Sequence, residues 1–226
     1  MSEIVFTGVA HRYGEREVLR GIDLTLTERR IGIIGANGSG KSTLARMING
    51  LLEPTAGTVT VDGVDAARKG AQVRRHVGFV FTDPDTQIVM PTVGEDLAFS
   101  LRRSGLRRDE IAARVTEILE RFGLTEHADH PAHLLSGGQK QLLALGAVLI
   151  RRPSVIVADE PTTLLDLRNA RVVARALDAV DQQVIVVTHQ LALLESFDRV
   201  VVVDDGAIAF DGTPADAVPA YRESVE

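Results

Sequence analysis

The sequence predicts an α/β fold in which a mainly parallel β-sheet is covered by helices. Two observations support it: short valine- and isoleucine-rich runs occur near both ends of the 226-residue chain, and helical patterns alternate with them in its last third. Continuous apolar runs are typical of strands buried on both faces of a parallel sheet. A composition of 45% hydrophobic and 25% charged residues is that of an ordinary globular protein, which excludes a disordered or fibrous chain.

The first third of the chain is predicted to consist mainly of strands. Its short β-branched runs are separated by glycine turns, which is the usual pattern of strands in a small sheet. These predicted strands span 4–9, 22–26, 31–34, 58–61 and 77–81.

The middle of the chain is predicted to be helical. Apolar residues recur at helical spacing from 95 to 122, and a second helix is expected from 138 to about 150, where Pro153 prevents its continuation. The last third alternates again between strands and helices. The strands are predicted at 155–158, 184–187 and 200–203, and the helices at 168–180 and 190–195.

These elements predict one domain over residues 1–226. Segments 1–82 and 148–226 are expected to form the α/β core, and 83–147 a mainly helical insertion. Little structure is expected after the turn at 211–214.

Charge and composition exclude several classes of function. The net charge of −6 gives no overall positive field, so nucleic acid is not expected as a partner. The absence of cysteine excludes disulfides and thiolate metal sites and agrees with a cytosolic compartment. The longest apolar stretch, 142–150, is shorter than the roughly 20 residues of a membrane-spanning helix, and the amino terminus does not resemble a secretory signal.

The strongest local motif follows the predicted strand at 31–34. The segment 35–43 reads Gly-Ala-Asn-Gly-Ser-Gly-Lys-Ser-Thr and matches G-x-x-x-x-G-K-[ST] between a strand and a helix. Its backbone N–H groups and the helix amino terminus form a cradle for phosphate oxygens, whereas the structural alternative is a flexible glycine turn. Lys41 would neutralise the β- and γ-phosphates, and Ser42 would ligate Mg²⁺. The predicted nucleotide contacts here are Gly35, Asn37, Gly38, Ser39, Gly40, Lys41, Ser42 and Thr43.

A pair of carboxylates ends the predicted strand at 155–158. Because neighbouring side chains on a strand point in opposite directions, Asp159 and Glu160 are expected to have different tasks. Asp159 suits the Mg²⁺ shell, and Glu160 suits a general base that acts on a water beside the γ-phosphate. A solvated acidic turn is the alternative interpretation.

Two further segments are unusual for a protein that binds a single nucleotide. The segment 135–141 combines Ser136 with two glycines at a helix start, which is a second anion-binding helix terminus. His189 follows the predicted strand at 184–187 and could donate a hydrogen bond to a phosphate or position the attacking water. A lone histidine is more often a packed polar residue, but the other phosphate-binding segments favour a functional role.

These motifs, in this order, resemble those of ABC-type ATPases over most of the chain. The resemblance implies a P-loop ABC ATPase that binds ATP and Mg²⁺, with a RecA-like core, a small antiparallel β part and a helical insertion. It makes Lys41, Glu160 and His189 catalytic, and Ser42 and Asp159 the metal ligands. Tyr13 falls where the family stacks an aromatic ring on adenine, although a half-buried tyrosine at a strand end is the alternative.

The same resemblance implies a head-to-tail dimer. In this family the signature motif of one subunit caps the γ-phosphate held by the phosphate loop of the other, so one chain carries two anion sites. The partner is a second copy or a second ABC ATPase. The signature and D-loop residues concerned are Ser136, Gly137, Gly138, Gln139 and Asp166.

The segments 80–87 and 91–99 are similar to those of the energy-coupling-factor (ECF) importers of vitamins and transition metals, and 162–169 resembles the biotin-transporter ATPases among them. This implies a peripheral subunit on the cytoplasmic face of the membrane, with a transmembrane T component and a substrate-binding membrane S component as partners. Thr82 departs from the family, which has the Q-loop glutamine there. Gln87 either compensates for that change or is a plain surface residue.

Several alternatives remain beside this interpretation. Asp83 and Asp85 lie where the family contacts arginines of its membrane partner, but Asp-Pro-Asp is also a good turn. A soluble ABC ATPase that clamps nucleic acid, ribosomes or proteins is the second functional class. A P-loop protein outside the ABC family leaves 135–139 unexplained. A metal site at His127, His130 and His133 is disfavoured, because Pro131 interrupts a helix that would align them.

Overall fold

The structure, a computed structural model, describes residues 1–225. These residues form two compact units. The first, here called the sheet unit, contains Met1–Phe79, Ser154–Glu160 and the chain from Gln182 onward. The second, the helical unit, contains Val80–Pro153 and Pro161–Asp181. The helical unit is larger than the insertion expected from the sequence, because the helix within 161–181 packs on the helix that precedes Pro153.

Two sheets are formed by the described residues. A six-stranded sheet has the order β10-β9-β3-β8-β7-β6, and a four-stranded sheet has the order β2-β1-β4-β5. The strands are β1 (Ile4–Tyr13), β2 (Arg16–Leu26), β3 (Arg30–Ile34), β4 (Ala56–Val61), β5 (Val64–Asp65), β6 (Val77–Val80), β7 (Val155–Asp159), β8 (Gln183–Val187), β9 (Arg199–Asp204) and β10 (Ala207–Gly212).

The centre of the six-stranded sheet is parallel and buried. β3 pairs in parallel with β8 and with β9, and β7 pairs in parallel with β8. Every residue of β3, β7 and β8 is buried, as the continuous apolar runs predicted. The predicted α/β class is therefore confirmed. Because the strands are parallel, the carboxyl ends of β3, β7 and β8 lie at one edge.

The four-stranded sheet is antiparallel, and its first hairpin is longer than the sequence predicted. β1 continues to Tyr13 and β2 begins at Arg16, with Tyr13 paired to Arg16 beside the turn. The added residues of β2 are mostly exposed and polar, so they lack the apolar run on which the prediction relied. The longer hairpin adds Tyr13 and Arg16 to the sheet.

The helices of the described residues fall in both units. The predicted helical region at 95–122 is two helices separated by 100–107, where Gly105 adopts a positive φ of 76°. The described helices are α1 (Lys41–Ile48), α2 (Gly70–Val73), α3 (Val93–Phe99), α4 (Arg108–Phe122), α5 (Gly137–Leu149), α6 (Leu167–Asp178) and α7 (Pro214–Val225).

Two expectations for the last part of the chain were wrong. The helix predicted at 190–195 is a single 3₁₀ turn, Leu191–Leu194. The chain after the turn at 211–214 forms α7, which packs against β9 and β10. β10, which the sequence did not predict, pairs antiparallel with β9. α7 was not predicted because Pro219 lies inside it, and proline normally ends a helix. No helix among the described residues has the length and apolar character needed to cross a membrane.

Candidate nucleotide-binding site

The glycine-rich segment at 35–43 is a tight loop between β3 and α1. Gly35 has φ 149°, and a Cβ atom there would collide with the carbonyl oxygen of Val203. Gly40 has φ 107°, and its Cβ would lie 2.9 Å from the carbonyl oxygen of Val18. A side chain at either position would therefore need both a strained backbone and a displaced strand. The glycines allow the loop to turn into the amino terminus of α1.

Lys41 is held inside this loop. Its side chain is buried, and Nζ donates hydrogen bonds to the carbonyl oxygens of Gly35 at 2.8 Å and Ala36 at 2.7 Å. Burial lowers the pKa of Lys41, and the negative charges of Glu160 and Asp159 oppose that shift. The ammonium group is thus fixed next to the backbone N–H groups that start α1, where an anionic ligand would be stabilised.

The loop also contains an unsatisfied polar atom, which fits a ligand rich in acceptor oxygens. The hydroxyl of Ser39 is buried and has no hydrogen-bond partner within the described part of the chain. Leaving a buried hydroxyl unpaired costs about 1–3 kcal/mol. A phosphate oxygen could accept from it.

Asp159 ends β7 beside α1. Its side chain is 1% exposed, its Oδ1 accepts a hydrogen bond from Ser42 Oγ at 2.7 Å, and its Oδ2 lies 3.4 Å from a terminal nitrogen of Arg46. A hydroxyl and a carboxylate are ligands that a small hard cation prefers, so Ser42 and Asp159 could hold Mg²⁺. Among the described residues no group of three or more His, Cys, Asp or Glu side chains could hold a metal by itself. The remaining ligands of such an ion would be phosphate and water oxygens.

Glu160 and His189 form a second pair at the same edge of the sheet. Glu160 Oε2 lies 2.9 Å from Nδ1 of His189, and the Glu160 backbone N–H donates to the carbonyl oxygen of Val187. Glu160 has φ 50°, an unfavourable conformation for a residue with a long side chain. Strain of this kind persists where the surrounding structure imposes it, commonly at functional sites. The turn directs Glu160 to His189 while Asp159 faces Ser42.

A cleft of about 350 Å³ opens over these groups in the sheet unit. Tyr13 stands at it with 51% of the residue exposed, and its ring meets the His11 ring edge-on at 4.6 Å between centroids. The sequence prediction missed Arg16 and Val18. It would have found them only if the predicted strand at 22–26 had been extended back to Arg16, where β2 begins. The cleft is lined by Tyr13, Arg16, Val18, Asn37, Gly38, Gly40, Lys41, Ser42, Thr43 and Glu160.

The second predicted anion-binding segment starts α5 in the helical unit. Ser136 is the N-cap: its Oγ accepts from the Gln139 N–H at 3.3 Å, and Gln139 Oε1 accepts from the Ser136 N–H at 2.9 Å. This reciprocal capping box fixes the first turn of the helix. The N–H groups of Gly137 and Gly138 belong to that turn, where intrahelical acceptors are lacking.

The D-loop packs onto this helix start. Asp166 caps α6, and its two carboxylate oxygens accept from the backbone N–H and the side-chain amide of Asn169. A Cβ at Gly138 would lie 2.5 Å from Oδ1 of Asn169, so only glycine permits this approach of α5 and α6. The structure therefore gives Asp166 a capping role.

Gln87 has an internal role that the sequence did not reveal. Its Oε1 accepts from the Phe81 N–H and its Nε2 donates to the carbonyl oxygen of Ala144, so it is not a plain surface residue. Buried Gln141 donates to the carbonyl oxygen of Phe81. The two glutamines thus fix the backbone immediately before Thr82.

The two aspartates that follow have local partners. Asp83 caps the turn Pro84–Thr86, and Asp85 forms an ion pair with Lys140 at 2.8 Å.

Comparisons with known proteins agree with this geometry. Residues 19–163 match the family model described as ABC transporter. The biotin transport ATP-binding protein BioM of Rhizobium etli is 46% identical over 97% of this chain and 98% of its own. The energy-coupling factor transporter ATP-binding protein EcfA1 of Symbiobacterium thermophilum is 42% identical over 97% of this chain and 84% of its own. A solved structure of cbiO1 from Clostridium perfringens, described as part of the ABC transporter complex cbiONQ, superposes with a TM-score of 0.84 at 32% identity, covering 98% of this chain and 92% of that one.

A parallel sheet whose edge carries a phosphate loop, a buried carboxylate and a Glu–His pair defines a P-loop ATPase. More particularly, the chain belongs to the ABC transporter ATP-binding family, and within that family it is similar to subunits of the ECF type. It binds ATP and hydrolyses it.

Proposed function

We propose that this chain is the ATPase subunit of an ECF-type importer and works as a head-to-tail dimer, with biotin as the best candidate for the transported solute. The best support for the dimer is that one chain has two features suited to bind phosphate. These are the loop at 35–43 in the sheet unit and the capped start of α5 in the helical unit. One nucleotide needs a single loop of the first kind, so the second feature serves a nucleotide bound to another subunit.

The chemistry proposed for the sheet unit is in-line attack of water on the γ-phosphorus. Glu160 accepts a proton as the water oxygen forms its bond to phosphorus and the bond to the β–γ bridging oxygen breaks. His189, 2.9 Å from Glu160, orients that carboxylate and the γ-phosphate. Lys41 binds the β- and γ-phosphates, and Tyr13 stacks on adenine. Ser42 and Asp159 would hold Mg²⁺, which neutralises charge on the phosphates when bound.

The helical unit supplies the cap. Ser136 uses its oxygen to accept from Gln139, which leaves its hydroxyl hydrogen available for a γ-phosphate oxygen of the partner subunit's nucleotide. The N–H groups of Gly137 and Gly138 would point to the same phosphate. Hydrolysis removes that shared ligand and lets the subunits separate, which converts the reaction into motion.

The membrane partners proposed are a transmembrane T component and a substrate-binding S component, with this subunit on the cytoplasmic face. Support comes from the relatives, which are named as ATP-binding proteins of biotin and energy-coupling factor transport. Asp85 is a candidate contact, since its carboxylate is 61% exposed although it is paired with Lys140. An arginine of the T component could compete with Lys140 for it.

Reconstitution tests this function. The chain, produced together with candidate membrane components and purified in detergent, should co-purify with them and support ATP-dependent uptake of labelled biotin into liposomes. Lys41→Ala in the same complex should abolish uptake because the phosphates lose their cation. Purification with ribosomes or nucleic acid and without membrane proteins would instead support the soluble clamp.

A further inference from the structure

Three side chains and one backbone group form a continuous chain of hydrogen bonds that ends at the signature helix. Nδ1 of His130 lies 2.9 Å from Nδ1 of His127, whose Nε2 lies 2.9 Å from Nε2 of Gln139. Gln139 Oε1 in turn accepts from the backbone N–H of Ser136. All four residues belong to the helical unit, and none of the motifs accounts for the two histidines.

The backbone group fixes the direction of every bond in this chain. The N–H of Ser136 can only donate, so the amide oxygen of Gln139 must face it and the amide NH₂ must face His127. Nε2 of His127 must then accept, which places the His127 proton on Nδ1. This Nδ1–H donates a hydrogen bond to Nδ1 of His130, which is the acceptor. His127 is therefore held as the neutral Nδ1–H tautomer.

The turn that carries the histidines is itself anchored. The backbone carbonyl oxygens of Ala128 and His130 accept from the N–H groups of Gly94 and Val93 at the start of α3. The His127 ring is half-buried against Gln139, whereas His130 is exposed. The imidazole thus has a fixed base from which to hold the amide of Gln139.

We propose that His127 is a positioning residue for the signature motif: it fixes the amide of Gln139 so that the capping box presents Ser136, Gly137 and Gly138 to the phosphate of the partner subunit. His130 supports this by accepting a hydrogen bond from the Nδ1–H of His127. The inference rests on the proposed dimer mechanism. It gives a role to two histidines for which the sequence analysis considered only a metal site, and disfavoured it.

A pair of conservative variants separates positioning from packing. In the place of a histidine, the side-chain amide of glutamine occupies the position of the Nε2 atom. The shorter side chain of asparagine puts its amide at the position of the Nδ1 atom. His127→Gln keeps an acceptor for Gln139 and should hydrolyse ATP within about twofold of the wild-type rate, whereas His127→Asn should be about 5–10-fold slower at saturating ATP. ATP affinity of the single subunit should be the same in both variants. His133→Asn, an exposed residue three positions beyond His130 and outside this hydrogen-bond chain, is the matched control and should keep the wild-type rate.

A spectroscopic measurement tests the bond direction independently of activity. Long-range ¹⁵N–¹H correlation spectra of the ¹⁵N-histidine-labelled full chain, at a pH where the rings are neutral, should show His127 as the Nδ1–H tautomer, with its signals assigned from the His127→Gln spectrum. An Nε2–H tautomer, or equal rates for the glutamine and asparagine variants, would overturn the inference. If Glu160→Gln protein fails to dimerise with ATP and Mg²⁺ while His127 is the Nδ1–H tautomer, the dimer mechanism fails and the hydrogen-bond chain stands.

Discussion

At the residue scale, the site depends on a few side chains whose tasks differ because their neighbours differ. Asp159 and Glu160 are adjacent in sequence, yet one carboxylate accepts from Ser42 and the other lies against His189. The positive φ of Glu160 separates them. The environment, and not the residue type, distinguishes the metal ligand from the base in the proposed mechanism.

Ser136→Ala tests the role of the signature hydroxyl. We expect ATP binding by a single subunit to be unchanged and hydrolysis to fall by about 10²-fold, because one donor to the transferring phosphate is lost. Binding is measured by fluorescent-nucleotide titration and hydrolysis by phosphate release. Loss of the Ser136 cap also weakens the α5 start by about 1 kcal/mol, so Ser154→Ala, outside the motif, serves as the substitution control. Weakened binding to isolated subunits would contradict the cross-subunit assignment.

At the element scale, the phosphate loop was predictable because its chemistry is contiguous in sequence. Gly35 to Thr43 carry the strand-to-helix turn, the cation and the hydroxyl within nine residues. Arg16 and Val18 were missed because they reach the cleft only through the extension of β2, whose exposed polar residues give no strand signal. Contacts set by pairing between strands cannot be read from local spacing.

The roles of Gln87 and Gln141 were also beyond the sequence. Both form hydrogen bonds with the backbone of Phe81, and Gln141 is 60 positions away from it in the sequence.

The parallel strands, in contrast, were predicted well, since burial on both faces leaves a continuous apolar run. α7 was missed because its proline lies inside the helix, where proline normally ends one.

Gly146→Val tests the packing of α5. A Cβ at this position would lie 2.8 Å from Cγ2 of Ile118 and 3.3 Å from atoms of Leu97 and Phe122. A valine should therefore lower the free energy of unfolding by about 1–3 kcal/mol through overpacking. Ala113→Val, on the exposed face of α4, introduces the same side chain into a helix and should cost about 0.5 kcal/mol. Denaturant unfolding of both variants compares them, and equal losses would mean that the α4–α5 contact can relax.

Glu28 gives the sheet unit a pH-dependent contribution to stability. Burial raises its pKa, but hydrogen bonds from the Thr27 N–H, its own backbone N–H and Arg199 outweigh this, so its pKa in the folded protein is below 4.5. Arg199 also pairs with Asp211 at 2.6 Å, which links the β2–β3 connection to β9 and β10.

A group whose folded pKa is depressed stabilises the protein above its unfolded pKa and loses that effect as the pH falls through the folded value. Glu28→Gln should thus be less stable than wild type at pH 7, and the difference should shrink below pH 4.5. Denaturant unfolding across this range measures the difference. Glu15→Gln, an exposed carboxylate at the β1–β2 turn, is the control and should show little dependence. A difference that grows toward acid would reverse the sign assigned to Glu28.

At the scale of the whole molecule, the proposed mechanism assigns the two units complementary parts of a nucleotide site that is shared between subunits. The sheet unit has the phosphate loop together with the proposed base and the proposed metal ligands, and the helical unit has the capped signature helix. A two-fold pair of identical chains would form two complete sites from these parts. The family is established by similarity, and the dimer is the part of the account that needs its own experiment.

That experiment is the mass of Glu160→Gln protein measured by light scattering with ATP and Mg²⁺. The substitution removes the proposed base, so hydrolysis should slow by about 10²–10⁴-fold while ATP stays bound. We expect the 24.4 kDa chain to form a dimer with ATP, to remain monomeric with ADP, and to lose the ATP dimer when Ser136→Ala is added. A monomer that holds ATP and Mg²⁺ at every protein concentration would contradict the shared-site mechanism.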